Sequence, residues 1–394
     1  MPLIAALLLN LAHALDHLFL LIFATAVSDI ALDFGVGRWE DMMPYTVGAF
    51  LMFGLASIPA GKLGDQWGRR AMMLVFYFGM GVSAIGVSLT QTPLQMAVAL
   101  TVLGVFSAIY HPVGIPLLLQ KAERPGMAIG VNGLAGNLGI ALAALSTGFL
   151  VAWQGWRMAF IVPGVVSLVC GVLFACFAPH EAGAPAKKKT LSVQLPRHLA
   201  IRTFWVMVAT STTTGLLFNI TTNGNGPLLA ERLDGLVNDP SRLGVLLAAV
   251  YAVASLAQLV VGRLLDRFPV KPLFFMVLFL QIIAFGFASQ ATGWVWYAAA
   301  IAYMVMVFGA IPFSDTMVIR YIDDTMRSRV SGTRIAISFG FSSLAIYLLG
   351  PVVKAAGFSQ LMLGLTGVAA LGVVFVLFLP NEAALNAAKG KVSH

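Results

Sequence analysis

From its first residues this chain returns again and again to unbroken apolar runs, each separated from the next by a short polar stretch. A hydrocarbon core of about 30 Å needs about 20 consecutive apolar residues in helical form, so runs of that length read as membrane crossings. Transmembrane strands would be about half as long and would alternate polar with apolar residues. Here Ala, Leu, Val and Gly follow one another without alternation, which reads as helix. Twelve spans are expected, over residues 4–28, 45–62, 71–90, 95–119, 127–152, 157–178, 203–228, 242–262, 272–290, 294–318, 330–353 and 359–379. The composition agrees: 59% of the residues are hydrophobic, 10% are charged, and the mean hydropathy is +0.90, far from the usual balance of a water-soluble domain.

A formal charge of +8 raises the question of nucleic acid, but the basic residues form no single patch. They fall in alternate loops. With the N-terminus inside, about 19 of the 24 Lys and Arg lie on the cytoplasmic side, the asymmetry that orients multi-pass proteins. Both termini are therefore expected in the cytoplasm, and the expected location is a bacterial-type inner membrane. The first run holds His13, Asp16 and His17 and has no small-residue cleavage site, so it reads as a retained helix and not as a signal peptide. Cys170 and Cys176, six apart in one span, read as free thiols.

The longest polar stretch, residues 179–202, lies near the middle and includes Lys187, Lys188 and Lys189, which read as topogenic charge attracted to lipid headgroups. It divides an N-terminal bundle of six helices (residues 1–180) from a C-terminal bundle of six (203–394), joined by a cytoplasmic linker over 181–202. A sequence repeat supports the division. Gly61-Lys62-Leu63-Gly64-Asp65 follows the second span, and Gly262-Arg263-Leu264-Leu265-Asp266 follows the eighth. Parallel repeats of this kind mark transporters built from two bundles with their site between the halves.

The full first loop, Gly61-Lys62-Leu63-Gly64-Asp65-Gln66-Trp67-Gly68-Arg69-Arg70, resembles the signature loop of the major facilitator superfamily, departing from it at Gln66. Tyr110-His111-Pro112, Gly136-Asn137-Leu138-Gly139 and Gly155-Trp156-Arg157-Met158-Ala159-Phe160 resemble the branch that contains fosmidomycin-resistance exporters. That branch often continues His-Pro with an acidic residue, where this chain has Val113. The resemblance implies the major facilitator fold, a monomer, and spans 1 and 4 bordering a central cavity. It also implies a conformational latch made by Gly61, Asp65, Gly68, Arg69 and Arg70, echoed by Asp266, between spans 2 and 11, with Arg329 or Arg334 as partners for Asp65.

The residues themselves point to where a solute and a proton would be handled. His13, Asp16 and His17 stand at i, i+3 and i+4, so they share one helical face. An ionisable group inside a membrane helix costs at least about 2.5–3.5 kcal/mol, so that face should meet a cavity or a partner. Asp16 is the expected coupling proton carrier, with His13, His17 and His111 around it. Pro112, followed by Gly114 and Pro116, should kink the fourth span beside His111. Small residues at Gly130, Gly133, Gly136 and Gly139 suit a helix that packs closely or bends, and Asn132 and Asn137 lie between them. The expected solute contacts are Tyr110, His111, Asn132, Asn137, Asn219 and Asn223. The segment Asn223-Gly224-Asn225-Gly226-Pro227 also reads as an unwound helix end, and Asp315 with Arg320 reads as an ion pair or gate on the cytoplasmic side.

No phosphate-binding loop of the Walker type, zinc-protease motif or catalytic triad appears, so neither ATP-driven transport nor an enzyme is expected, and no cofactor is implied. The expected function is proton-coupled secondary transport of a small polar or amphipathic solute by alternating access, in the direction of efflux. The partners are then the solute, protons and membrane lipid. Two other readings stay open: a carrier of a transition metal or its chelate through His13, Asp16, His17 and His111, and a membrane sensor or scaffold without flux.

Overall fold

The computed structural model describes residues 2–120, 125–179, 197–321 and 324–380. The linker lysines Lys187 to Lys189 lie outside this range, as do the side chains of Arg320 and Arg329. Every regular element among the described residues is helical.

The helices are α1 (Leu3–Asp33), α2 (Trp39–Met42), α3 (Val47–Trp67), α4 (Arg69–Ser88), α5 (Pro93–Ser107), α6 (Ile115–Leu119), α7 (Pro125–Gln154) and α8 (Trp156–Phe177). They continue with α9 (Arg197–Arg232), α10 (Pro240–Arg267), α11 (Val270–Gln290), α12 (Gly293–Tyr321) and α13 (Asp324–Leu377). A 3-10 turn over Met43–Thr46 joins α2 to α3, and a π-helical turn over Tyr110–Gly114 joins α5 to α6. Ten helical stretches among the described residues are long and apolar enough to cross a membrane. The threonines and asparagines of α9, where the seventh span is expected, keep it out of that set. The eleventh and twelfth expected spans share α13, which Gly357 interrupts with φ +79°. Its apolar part, Ala336–Leu377, has 42 residues. At 1.5 Å per residue that is about 63 Å, twice the hydrocarbon thickness.

The segment from Asn223 to Pro227 is not an unwound end: α9 runs through it to Arg232, with Asn223 and Asn225 buried.

The chain forms two compact units, and their division does not follow the midpoint of the sequence. The first comprises Met1–Ala186, Thr222–Ala252 and Ser343–Ala355; the second comprises Lys187–Thr221, Val253–Ser342 and Ala356–His394. Within the first unit, α1 lies along α7, α4 along α8 and α3 along α5. Glycines make these approaches possible. A Cβ on Gly139 would strike the backbone of Ala14, and one on Gly104 would strike the backbone of Ala49. On α8, Phe160, Gly164, Gly171 and Phe174 turn inward while Val165, Val169, Val172 and Leu173 are exposed. A helix apolar on both faces, one against protein and one open, is what a lipid solvent requires. Polar ties close the helix ends. Arg70 donates to the carbonyls of Ala175 (2.6 Å) and Ala178 (3.0 Å) at the C-terminus of α8. Arg157 meets Asp33 at 2.7 Å.

The second unit packs α11 against α12 around Phe274, Phe313, Met207 and Met317. The rings of Phe274 and Phe313 stack with centroids 4.4 Å apart.

Candidate functional site

The site grows from a polar stripe on α1. Asn10, His13 and His17 recur at helical spacing, and Asp16 lies beside them on the same helix. Asp16 is completely buried, and His13 is 6% exposed. The π turn brings His111 to them. Pro112 has no amide hydrogen to give, and the chain accommodates it by widening into the π turn, which re-aims the two residues before it. The kink expected at Pro112 therefore takes this form. The signature loop's own glycines seat that turn: a Cβ on Gly61 would lie 3.3 Å from Pro112, and one on Gly64 would lie 2.9 Å from Val113.

Hydrogen bonds fix the imidazoles in order. The Asn132 backbone carbonyl, which can only accept, lies 2.7 Å from His13 Nδ1, so that nitrogen carries the hydrogen. In the neutral ring His13 Nε2 is then a lone pair, and it accepts from His17 Nε2 at 3.2 Å. The Asn132 amide donates to Asn10 Oδ1 (2.9 Å) and to the Tyr110 hydroxyl (2.6 Å), and that hydroxyl donates to the Leu9 carbonyl (2.9 Å). Tyr110 also stacks on the His13 ring, with centroids 4.8 Å apart. Gly136 leaves room for this arrangement, since a Cβ there would come within 2.6 Å of the same ring.

Asp16 closes the cluster. Its Oδ1 accepts a short hydrogen bond from the Ser107 hydroxyl. Its Oδ2 has no hydrogen-bond partner among the described residues and lies 3.6 Å from His111 Nε2. The His111 side chain is 35% exposed and His17 is half-buried, so the cluster is reached from that side while Asp16 sits at its dry end. His13, His17 and His111 offer one ring nitrogen each, all within 4.8 Å of one another, a spacing on which a metal ion could also draw.

The structure thus brings together Asp16, His13, His17, His111, Tyr110 and Asn132. Asn132 is held inside the network by three partners. Asn137 is buried, and its amide nitrogen has no hydrogen-bond partner among the described residues. Asn223 lies in the first unit, and Asn219 lies in the second, where it donates to Ser342 (3.2 Å). Ser107 and Asn10 were not among the expected site residues. Asn10 is visible in the sequence as the residue three before His13 on its stripe, whereas nothing local marks Ser107.

The residues expected in the latch are placed as follows. Gly68, with φ +91°, turns the chain between α3 and α4. Asp65 is exposed and faces Arg69 at 3.8 Å, and Asp266 is exposed at the end of α10. Arg334 is committed elsewhere in the second unit: it donates to Asp315 (2.8 Å) and to Ser211 (3.0 Å). The side chain of Arg320, the residue expected beside Asp315, lies outside the described residues.

The model of the Major Facilitator Superfamily matches residues 9–234. The multidrug resistance protein MdtG of Salmonella dublin is 25% identical over 59% of this chain and 59% of its own length. The MdtG of Serratia proteamaculans is 26% identical over 62% of this chain and 61% of its own. The chain spans about three fifths of the length of these relatives. Among solved structures, the inward-open xylose transporter XylE from E. coli superposes with a TM-score of 0.79 at 13% identity, covering 95% of this chain and 96% of that one. A bacterial homologue of the human lysosomal transporter Spinster, inward-facing and occupied, gives 0.71 at 16% identity over 98% and 96%. At such identities these superpositions establish the fold, and the model match establishes descent: this multi-pass, all-helical membrane chain belongs to the Major Facilitator Superfamily.

Proposed function

We propose that the chain is a secondary active transporter that moves a small polar or amphipathic solute out of the cell by alternating access, in exchange for protons taken up through Asp16. The observation that carries this reading is the burial of Asp16 with one oxygen satisfied by Ser107 and the other facing His111 across 3.6 Å. A bare carboxylate at that depth is costly, so its charge must be matched by a proton or by a nearby cation. A proton on His111 makes an ion pair with Asp16; a proton on Asp16 itself leaves a neutral cluster. Exchange between these arrangements, as the exposed side of His111 takes or gives a proton, couples proton movement to the opening of the site. Efflux is supported by the relatives, which are named multidrug resistance proteins. Tyr110, Asn137 and Asn223, all in the first unit, supply hydrogen-bonding groups for the solute. The expected setting is an inner membrane with both termini in the cytoplasm, and the expected working form is a monomer.

The test is proton movement in proteoliposomes during a screen of candidate solutes, comparing wild type with Asp16→Asn. A solute-driven proton flux that the variant loses by a factor of about ten or more supports the reading. Equal solute-driven proton flux in the variant removes Asp16 from the coupling step. Solute movement indifferent to the pH gradient in the wild type removes proton coupling altogether.

A further inference from the structure

We infer that His13, His17 and His111 form a binding site for one divalent transition-metal ion of the zinc, nickel or cobalt kind. Three observations meet here. The first is spacing: one nitrogen from each ring lies within 4.8 Å of the others, and the Nε2 atoms of His13 and His17 are 3.2 Å apart. Nitrogens held at about 2.0–2.1 Å around a tetrahedral ion are about 3.4 Å from one another, so that pair stands close to ligand separation and the third ring needs only a small turn.

The second is the surrounding shell. Metal-binding imidazoles commonly donate their other N–H to a carbonyl or carboxylate, which fixes the tautomer and aims the ring. His13 does so already, because its Nδ1 hydrogen is given to the Asn132 carbonyl at 2.7 Å and its Nε2 lone pair is turned toward His17. Stacking on Tyr110 and the tight space at Gly136 hold the ring in that plane. His17 joins as a ligand by carrying its hydrogen on Nδ1 in place of Nε2, which converts the present hydrogen bond into two lone pairs facing one centre.

The third is charge. Asp16 Oδ2 is buried, lacks a hydrogen-bond partner among the described residues and lies 3.6 Å from His111 Nε2, so it supplies negative charge beside the three neutral rings. Three imidazoles and an adjacent carboxylate favour borderline ions over magnesium or calcium, which take all-oxygen sites, and the absence of thiolate or thioether from the set disfavours copper(I). The partial exposure of His17 and His111 gives the ion its way in and leaves a coordination position for water or solute.

This inference concerns binding and stands whether or not the chain couples flux to protons. It is tested on the purified full-length chain in detergent, without a gradient and without solute. The chain has six histidines, so the background variant replaces His180, His198 and His394 by Gln and retains the three cluster residues. Cobalt(II) titrated into that background is expected to give the visible ligand-field absorption of a four-coordinate site with three nitrogen ligands and one water, saturating at one ion per chain, with zinc(II) displacing it. His17→Gln and His111→Gln are each expected to weaken binding by at least about tenfold, and Asp16→Asn by about 10–100-fold. Each variant is first checked for a monodisperse elution profile. A histidine variant that fails this check is replaced by the Asn substitution at the same position, and Asp16→Asn by Asp16→Ser. No cobalt or zinc bound by the background chain overturns the inference, as does binding that both His17→Gln and His111→Gln leave unchanged. A failure here leaves proton coupling through Asp16 standing, and a failure of proton coupling leaves the metal site standing.

Discussion

Lys354 Nζ lies 2.7 and 2.8 Å from the two carboxylate oxygens of Asp41, joining residues 313 positions apart in the sequence. Both belong to the first compact unit, so a segment of α13 packs with the N-terminal helices there. Gly350 lies one turn earlier, and a Cβ on it would strike the backbone of Glu40. Alternating access requires contacts that exist in one state and are lost in the other. The ion pair is partly exposed, with side chains 44% and 39% accessible, which limits it to about 0.2–1 kcal/mol. Lys354→Glu is therefore expected to open this contact and shift the population by up to about fivefold. The measurement is the labelling rate of a cysteine introduced at Glu40 by a membrane-impermeant thiol reagent. The exchange Asp41→Lys with Lys354→Asp should return the rate toward wild type, and unchanged labelling in Lys354→Glu would exclude the pair from any gating role.

Gly148 on α7 and Gly244 on α10 cross without side chains between them. A Cβ on Gly244 would lie 2.7 Å from the Ala144 carbonyl and 3.0 Å from Gly148 Cα. Backbone atoms cannot swing aside as a side-chain tip can, so Gly244→Val is expected to cost about 1–3 kcal/mol in this packing and to lower the thermal unfolding midpoint in detergent. Gly130 on the same α7 is the contrast. Among the described residues nothing lies within 4 Å of its Cβ position, so Gly130→Ala is expected to be neutral or to gain about 0.5–1 kcal/mol. Equal loss in both variants would show that the crossing has no special requirement for glycine.

The sequence makes the α1 stripe visible because helical spacing alone places His13, Asp16 and His17 on one face. The meeting of Asp16 with His111 was expected from the family's arrangement, and the rings do come together. What is not legible is which lone pair faces which hydrogen. That depends on the Asn132 carbonyl, a backbone group whose position only the packing of α7 on α1 decides. The pairing of Asp315 with Arg334 is hidden for a related reason. The two residues stand on different helices, and only the packing of α13 on α12 carries Arg334 to Asp315. Nor does an internal repeat reveal that parts of α9, α10 and α13 pack with the first unit, since the repeat reports the origin of the halves and not their contacts in this state.

Arg334 is buried while its partner Asp315 is largely exposed, with side-chain accessibilities of 8% and 72%. The guanidinium also donates to Ser211, whose hydroxyl is 2.9 Å from that of Ser314, and its Nε has no hydrogen-bond partner among the described residues. Among the described residues, removing the carboxylate leaves this buried cation with a hydroxyl partner alone. Asp315→Ala is expected to destabilise the protein by about 1–3 kcal/mol, while Arg334→Met, which removes the charge and keeps the bulk, costs less. Thermal unfolding in detergent distinguishes them. A larger loss in Arg334→Met would mean that the arginine stabilises this unit chiefly through packing of its stem.

Asp239 stands just before Pro240, the first residue of α10, and its Oδ1 accepts from the backbone N–H of Arg242 at 2.9 Å and from the Ser241 hydroxyl. This is an N-terminal cap, with proline at the position where a missing amide hydrogen costs least. The Ser241 hydroxyl, followed by the Arg242 amide, holds the carboxyl below its ordinary value of 3.8. A group whose folded value is depressed contributes stability that is present above the unfolded value and is lost as the pH falls through the folded one. The cap is therefore expected to loosen only below about pH 4. Amide hydrogen exchange at Arg242 and Leu243 reads this directly. Wild type should stay protected from neutral pH down to that range and then lose protection. Asp239→Asn keeps the oxygen acceptor and should remove the acid-dependent step, while Asp239→Ala should expose the Arg242 amide at every pH. Acid-dependent loss that persists unchanged in Asp239→Asn would place the titrating group elsewhere.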